Sequence, residues 1–314
     1  MTGHRSRSLA VCGLLLVLLC SCSVSSPSRR SPPPRPGSAL ATTATSSSSP
    51  GPAGPSRPGR YVALGDSFTA APLAGGLGKP AGCLRSVKDY PSLVATAQRL
   101  SLVNASCYGA STGDLNHAQH TAGQTNPAQL SALSAADQLV TVQIGGDDIG
   151  FGKIAATCGA LSLTSPTGDP CQRHYTQGGT DQLARAVTQA APGVAAALAA
   201  IRDRAPRARV LVVGYPDILP VRGNGCWPEV TIARGDLPYL RGVETRLNAM
   251  LAAAARRAGD TFVDTYTPSI GHDACQPGGT KWVEGLIPTS AAVPMHPNAL
   301  GEQAMAREIV AALG

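Results

Sequence analysis

From residue 60 the chain alternates short apolar runs with longer stretches of helical period. The apolar runs predict strands over 61–64, 102–105, 139–144, 210–213 and 262–264. They are brief and scarcely alternate with polar residues, as expected of strands covered on both faces. Between them, helical patterns occupy 89–99, 180–205, 237–258 and 298–313. In the third, Leu240, Val243, Leu247, Met250 and Leu251 recur on one helical face, and Gly259 follows as a C-cap. Strand and helix alternating over this length predict an α/β fold, a three-layer α/β/α domain with a central parallel sheet of about five strands. The stretch 157–179, bracketed by Cys158 and Cys171, reads as an irregular stapled loop. No internal repeat or second core is evident, so 60–314 is expected to be one domain.

The first 59 residues have a different grammar. Arg5 and Arg7 precede an apolar run of 11 residues at 9–19, too short for the roughly 20 residues a bilayer requires. Residues 1–22 therefore read as an export signal. The "LCSC" that ends it resembles a bacterial lipobox, which would make Cys22 the lipidated N-terminus of the mature chain and a point of membrane attachment. Residues 23–59 are rich in Ser, Pro, Thr, Ala and Gly, a composition that predicts a disordered tether. The expected location is secreted or anchored on the outer face of the cell membrane.

Charge changes the picture only by its distribution. The net +7 of the 314-residue chain includes six arginines before residue 60; the remainder has 20 basic residues against 19 acidic ones. A nearly neutral domain offers no phosphate-binding stripe, which excludes a nucleic-acid partner. Six cysteines lie beyond the leader: Cys83, Cys107, Cys158, Cys171, Cys226 and Cys275. An even count in an exported chain implies three disulfides in one of 15 pairings. None of the six forms a CxxC, so no structural zinc is expected.

The chemistry sits where a parallel sheet presents its loops, beyond the carboxyl ends of the strands. Gly65-Asp66-Ser67 follows the first strand, Gly109 the second, and Gly145-Gly146-Asp147-Asp148 the third; His296-Pro297 precedes the last helix. A lone Gly-Asp-Ser is only a turn signal. The four blocks in order resemble the SGNH (GDSL-type) hydrolase superfamily, in particular its secreted actinobacterial esterase and lipase branch. The resemblance covers 60–314 and implies a flavodoxin-like fold and no cofactor. It makes Ser67 the nucleophile, His296 its base and Gly109 an oxyanion donor, and pairs the cysteines sequentially as Cys83–Cys107, Cys158–Cys171 and Cys226–Cys275.

Two positions depart from the family pattern. Asp147 stands where the family has an Asn whose amide is the third oxyanion donor. An ionised carboxylate cannot donate; Asp147 either stays protonated through burial and donates an O–H, or turns away to accept a backbone bond. The family's DxxH would also need Asp at 293, where this chain has Val293-Pro294-Met295-His296. A main-chain carbonyl, that of Val293, is the expected orienter, giving a Ser67–His296 dyad. The implied substrate is a small-molecule or lipid ester cleaved by a monomeric enzyme. An acyltransferase or deacetylase acting on envelope lipids or glycans, or a weakened glycolipid-binding module, are the alternatives.

Other residues read as structural. The resemblance implies that His272-Asp273 belongs to a structural loop leading into a disulfide, and His117 and His120 read as a solvated irregular stretch. Asp147 and Asp148 lack the further ligands of a metal site, Asp66 braces its turn, and Trp227 and Trp282 are packing or pocket-wall residues.

Overall fold

The computed structural model describes residues 58–77, 81–121 and 123–314; the leader, Cys22 and most of the tether lie outside these. Five strands form one parallel sheet: β1 (Arg60–Gly65), β2 (Ser101–Asn104), β5 (Asp137–Gln143), β6 (Arg209–Val213) and β7 (Thr261–Val263). The order is β2-β1-β5-β6-β7. Each lies within two residues of its expected position. Two short strands, β3 (Gln119–Thr121) and β4 (Gln124–Asn126), pair separately as an antiparallel hairpin, where an irregular stretch was expected around His120.

Side chains along the sheet alternate between two helical layers. Val62, Leu64, Val140, Val142, Val210 and Val212 pack with α6 (Gln182–Arg204) and α7 (Leu237–Ala258). Tyr61, Ala63, Leu139, Leu211 and Val213 pack on the other side with α2 (Tyr90–Gln98) and α9 (Ala299–Leu313). This two-sided burial explains why the strands show no polar alternation in sequence. Asp89, Asp181 and Asn298 cap the N-termini of α2, α6 and α9 through their side chains.

The stretch expected to be irregular is partly helical. The chain forms α4 (Phe151–Ser162) and α5 (Pro170–Tyr175), joined by the Cys158–Cys171 disulfide. The Asp236 carboxylate accepts from the N–H groups of Cys171 and Gln172 at the start of α5. Short apolar spacing and a Thr-Ser-Pro-Thr-Gly break disguised these helices, which gain their stability from packing and the cross-link. Cys83–Cys107 and Cys226–Cys275 are also bonded, so all three expected pairs are present.

Candidate active site

The turn after β1 is shaped by what surrounds Gly65. A Cβ there would come 2.5 Å from the Gln143 carbonyl oxygen and 2.2 Å from Thr69 Oγ1, so only glycine fits. Gln129 grips both main-chain groups of Gly65, at 2.8 and 2.9 Å. Asp66 then caps the single-turn helix α1 (Ser67–Ala70) by accepting from the Phe68 N–H at 2.9 Å. Ser67 is therefore the first residue of a helix on a rigid strand end. Its own N–H donates to no protein acceptor among the described residues.

The facing turn is tied to the same strand. Cys107 N–H donates to the Gly65 carbonyl at 3.0 Å, and Tyr108 N–H to the carbonyl of Cys83, the disulfide partner of Cys107, at 3.1 Å. Gly109 follows with φ +72°, and its N–H also donates to no acceptor among the described residues. Its glycine is needed for that φ, not for a close approach: a Cβ would meet nothing nearer than 4.0 Å. Asp148 accepts from the N–H of Thr112, at 3.0 and 3.2 Å to its two oxygens, and from the Thr112 hydroxyl, at the start of α3 (Thr112–Asn116). The Gly109 turn and the Gly145–Asp148 turn are thereby latched together. Asp148 acts here as a latch, and no group of three or more metal-binding side chains occurs among the described residues.

His296 reaches Ser67 across 229 positions: its Nε2 lies 2.7 Å from the Ser67 Oγ. Its Nδ1 lies 2.8 Å from the Pro294 carbonyl. A carbonyl only accepts, so Nδ1 carries the proton and Nε2 is left to accept from the hydroxyl. The orienting carbonyl is that of Pro294, not the expected Val293. The Val293 carbonyl is occupied in closing the turn, accepting from the His296 N–H at 3.2 Å. Pro294 holds the second position of this four-residue turn and Met295 the third, at φ +61°. Pro followed by a positive φ is the pattern of a type II turn, whose central peptide is rotated, freeing the Pro294 oxygen for the ring. Below, Glu284 anchors the segment: its N–H donates to the His296 carbonyl at 3.0 Å, and its carboxylate accepts from Asn298 Nδ2 at 2.8 Å.

The imidazole is only 5% exposed and enclosed by rings. Phe68 lies 4.9 Å away, Tyr108 stacks at 5.9 Å, and Phe151 meets it edge-on at 5.8 Å. Burial pushes its pKa down to about 4, partly opposed by the Pro294 hydrogen bond, with no carboxylate charge to raise it. Asp147 has the reverse shift. Burial, then the neighbouring charges of Asp148 and Asp114, raise it to about 6. Its side chain makes no hydrogen bond among the described residues, so it has not turned away to accept a backbone N–H.

A further link was not foreseen from sequence. Tyr215, in the loop after β6, donates its hydroxyl to Asp66 Oδ2 and accepts from the Gly146 N–H at 2.8 Å. Asn248 of α7 fixes the Tyr215 backbone through two bonds of 2.8 and 2.9 Å. The signal available was a Tyr-Pro-Asp directly after a buried strand, on the sheet edge that carries Ser67. The residues set aside earlier are structural: His272 stacks on Trp282 at 3.9 Å and its Nδ1 meets the Thr280 carbonyl. His120 bonds Thr125 within the hairpin.

Comparison with known proteins agrees with this arrangement. Residues 63–304 match the model of the GDSL-like Lipase/Acylhydrolase family. Lipase 2 of Streptomyces coelicolor is 38% identical over 260 residues, covering 81% of this chain and 85% of that protein. Among solved structures, the extracellular lipase of Streptomyces rimosus superposes with a TM-score of 0.66 at 27% identity, covering 81% of this chain and 99% of that one. Phospholipase A1 of Streptomyces albidoflavus NA297 gives 0.64 at 26% identity, covering 82% and 100%. With its Gly-Asp-Ser turn, its parallel five-stranded sheet and these relatives, the chain belongs to the GDSL-like lipase/acylhydrolase family and is an ester-hydrolysing enzyme of the actinobacterial lipase branch.

Proposed function

We propose that this chain is an exported serine esterase or lipase that cleaves carboxylic esters through a Ser67 acyl-enzyme, using His296 as the sole side-chain partner. The observation that carries the reading is the Ser67 Oγ to His296 Nε2 contact of 2.7 Å, with Nδ1 already committed to a carbonyl. A serine hydroxyl is a poor nucleophile until a base within hydrogen-bond reach takes its proton. Here Oγ attacks the ester carbonyl carbon as its proton passes to Nε2. The resulting imidazolium is steadied by Nδ1–H on Pro294 and returns the proton to the departing alcohol. Water then repeats the sequence on the acyl-enzyme, releasing the acid and restoring Ser67.

The oxyanion falls to three groups. The unengaged N–H groups of Ser67 and Gly109 supply two donors, and the protonated Asp147 supplies an O–H in place of the usual amide. One such donor contributes about 2.7–4 kcal/mol to the transition state. The acyl chain enters the apolar cavity of about 80 Å³ that borders the site, lined by Phe68, Gly146, Tyr215 and Met295 among others. A lipase and a phospholipase A1 among the relatives support acyl lipids as the substrate class. The leader and "LCSC" support a location outside the cell, with Cys22 as the lipid anchor.

A fluorophosphonate probe tests the reading. The wild type is expected to be labelled and to hydrolyse p-nitrophenyl esters, while Ser67→Ala does neither. Labelling that survives in Ser67→Ala would end the proposal, and an unlabelled wild type would favour a glycolipid-binding module.

A further inference from the structure

The cavity is almost wholly apolar, with Tyr215 and Glu244 as the polar side chains of its lining. Phe68, Gly146 and Met295, chain neighbours of Ser67, Asp147 and His296, line it together with Ile218, Leu240 and Leu247. So does Glu244. This residue lies four positions after Leu240 and three before Leu247, inside the apolar stripe of α7, where a leucine or methionine would suit the pattern. Its side chain is partly buried, and Oε1, itself shielded from solvent, has no hydrogen-bond partner among the described residues. Burial is the main influence on the carboxyl, with Asp217 adding like charge and the Ile218 main chain and Arg241 opposing; the net effect lies well above the ordinary carboxylate range. Arg241 is itself engaged by the Pro220 carbonyl. In its protonated form such a carboxyl is one O–H donor with acceptor capacity to spare.

Buried polar groups ordinarily have partners, and each exception calls for a reason. Packing supplies none here, because an aliphatic side chain would fill the stripe without a desolvation cost. A ligand supplies one. An unsubstituted acyl chain entering the cavity leaves Oε1 unpaired, whereas a hydroxyl on that chain can donate to it.

We propose that Glu244 is a specificity-determining residue and that the cavity takes acyl groups bearing a hydroxyl at a distance from the ester carbonyl. The proposal rests on the cavity being the acyl site of a Ser67 esterase. It is tested with two sets of p-nitrophenyl esters of one medium chain length, one unsubstituted and one with a hydroxyl moved stepwise along the chain. Wild-type enzyme should favour one hydroxy isomer over the unsubstituted ester by about ten-fold in kcat/KM, the scale of one buried hydrogen bond. Glu244→Leu should erase that preference and raise turnover of the unsubstituted ester, and Glu244→Gln should keep part of the preference. The glutamine variant carries the test alone if the leucine variant does not fold, and must then show a smaller, nonzero preference at the same isomer.

Equal rates for all isomers in wild type would overturn the inference, as would a preference that survives Glu244→Leu. If esters are hydrolysed and Ser67→Ala abolishes this, yet the hydroxyl has no effect, only the role of Glu244 falls. If no ester is hydrolysed and Ser67 takes no label, the esterase reading falls and this inference falls with it.

Discussion

Asp66 and Tyr215, 149 positions apart, share a buried hydrogen bond that ties the Ser67 turn after β1 to the loop after β6. The same Tyr215 hydroxyl accepts from Gly146, so one side chain sets the spacing between the Ser67 turn and the Asp147 turn. Tyr215→Phe removes the bridge and leaves a buried N–H and a buried carboxyl oxygen unpaired. The expected stability loss is about 1–3 kcal/mol. The functional loss should lie in kcat, by roughly ten-fold or more, since the donors and nucleophile drift apart while the cavity is intact. Steady-state kinetics beside thermal unfolding separate the two. A variant with full kcat would show that Tyr215 serves the core alone.

The Val293–His296 turn gives a second prediction. Because the Pro294 oxygen orients the ring and Val293 only closes the turn, Val293→Ile should leave kcat/KM within about two-fold, as expected of a surface-level apolar exchange. Met295 is different, since it holds φ +61° beneath the imidazole. A β-branched residue is poorly suited to that conformation. Met295→Val should cost about 1–3 kcal/mol of stability and displace His296, lowering kcat by more than Val293→Ile does. Equal kinetic effects from the two changes would show that the Met295 conformation does not set the position of the ring.

The disulfides should differ in function. Cys83–Cys107 closes a loop of 24 positions and holds the turn that ends in Gly109, whereas Cys158–Cys171 closes 13 and joins α4 to α5. Replacing either pair by alanine should cost about 2–4 kcal/mol of stability on the chain-entropy argument. Only loss of Cys83–Cys107 should also lower kcat at temperatures where the protein is fully folded. Activity and circular dichroism measured together at low temperature would decide this.

The sheet was legible because buried strands and amphipathic helices announce themselves by period, and Ser67, Gly109 and His296 because each follows or precedes such an element. What escaped the sequence depends on which oxygen a backbone turn presents and on contacts across the fold. Val293 and Pro294 are both carbonyl bearers near His296, and only the rotation of one peptide decides between them. Tyr215 acts through partners far away in the chain. Glu244 did leave a trace, a lone acid within an apolar stripe. α4 and α5 were missed because their helicity depends on a cross-link and on Asp236, neither of which is local.

The last prediction joins the two shifted groups at the site. In the proposed mechanism His296 must be neutral to accept the Ser67 proton, and its pKa of about 4 keeps it so well into acid. Asp147 must be protonated to donate to the oxyanion, which its pKa of about 6 allows only below that pH. The plot of kcat/KM should therefore be a bell between about 4 and about 6, falling about ten-fold per unit above its upper limb. Stability is a poor reporter of either group. As pH falls from about 6 to about 4, protonation of Asp147 favours the folded state, while the unfolded chain's histidine, ordinarily at 6.5, takes up a proton that buried His296 resists. The two slopes oppose each other, so the rate is the quantity to follow. Asp147→Asn restores a donor that does not titrate: the alkaline limb should vanish, the acid limb should stay, and activity at pH 7.5 should exceed wild type by roughly ten-fold or more. A wild-type profile that is flat from pH 6 to 8, or an Asp147→Asn variant that is no better there, would remove Asp147 from the oxyanion hole and leave two backbone donors to do its work.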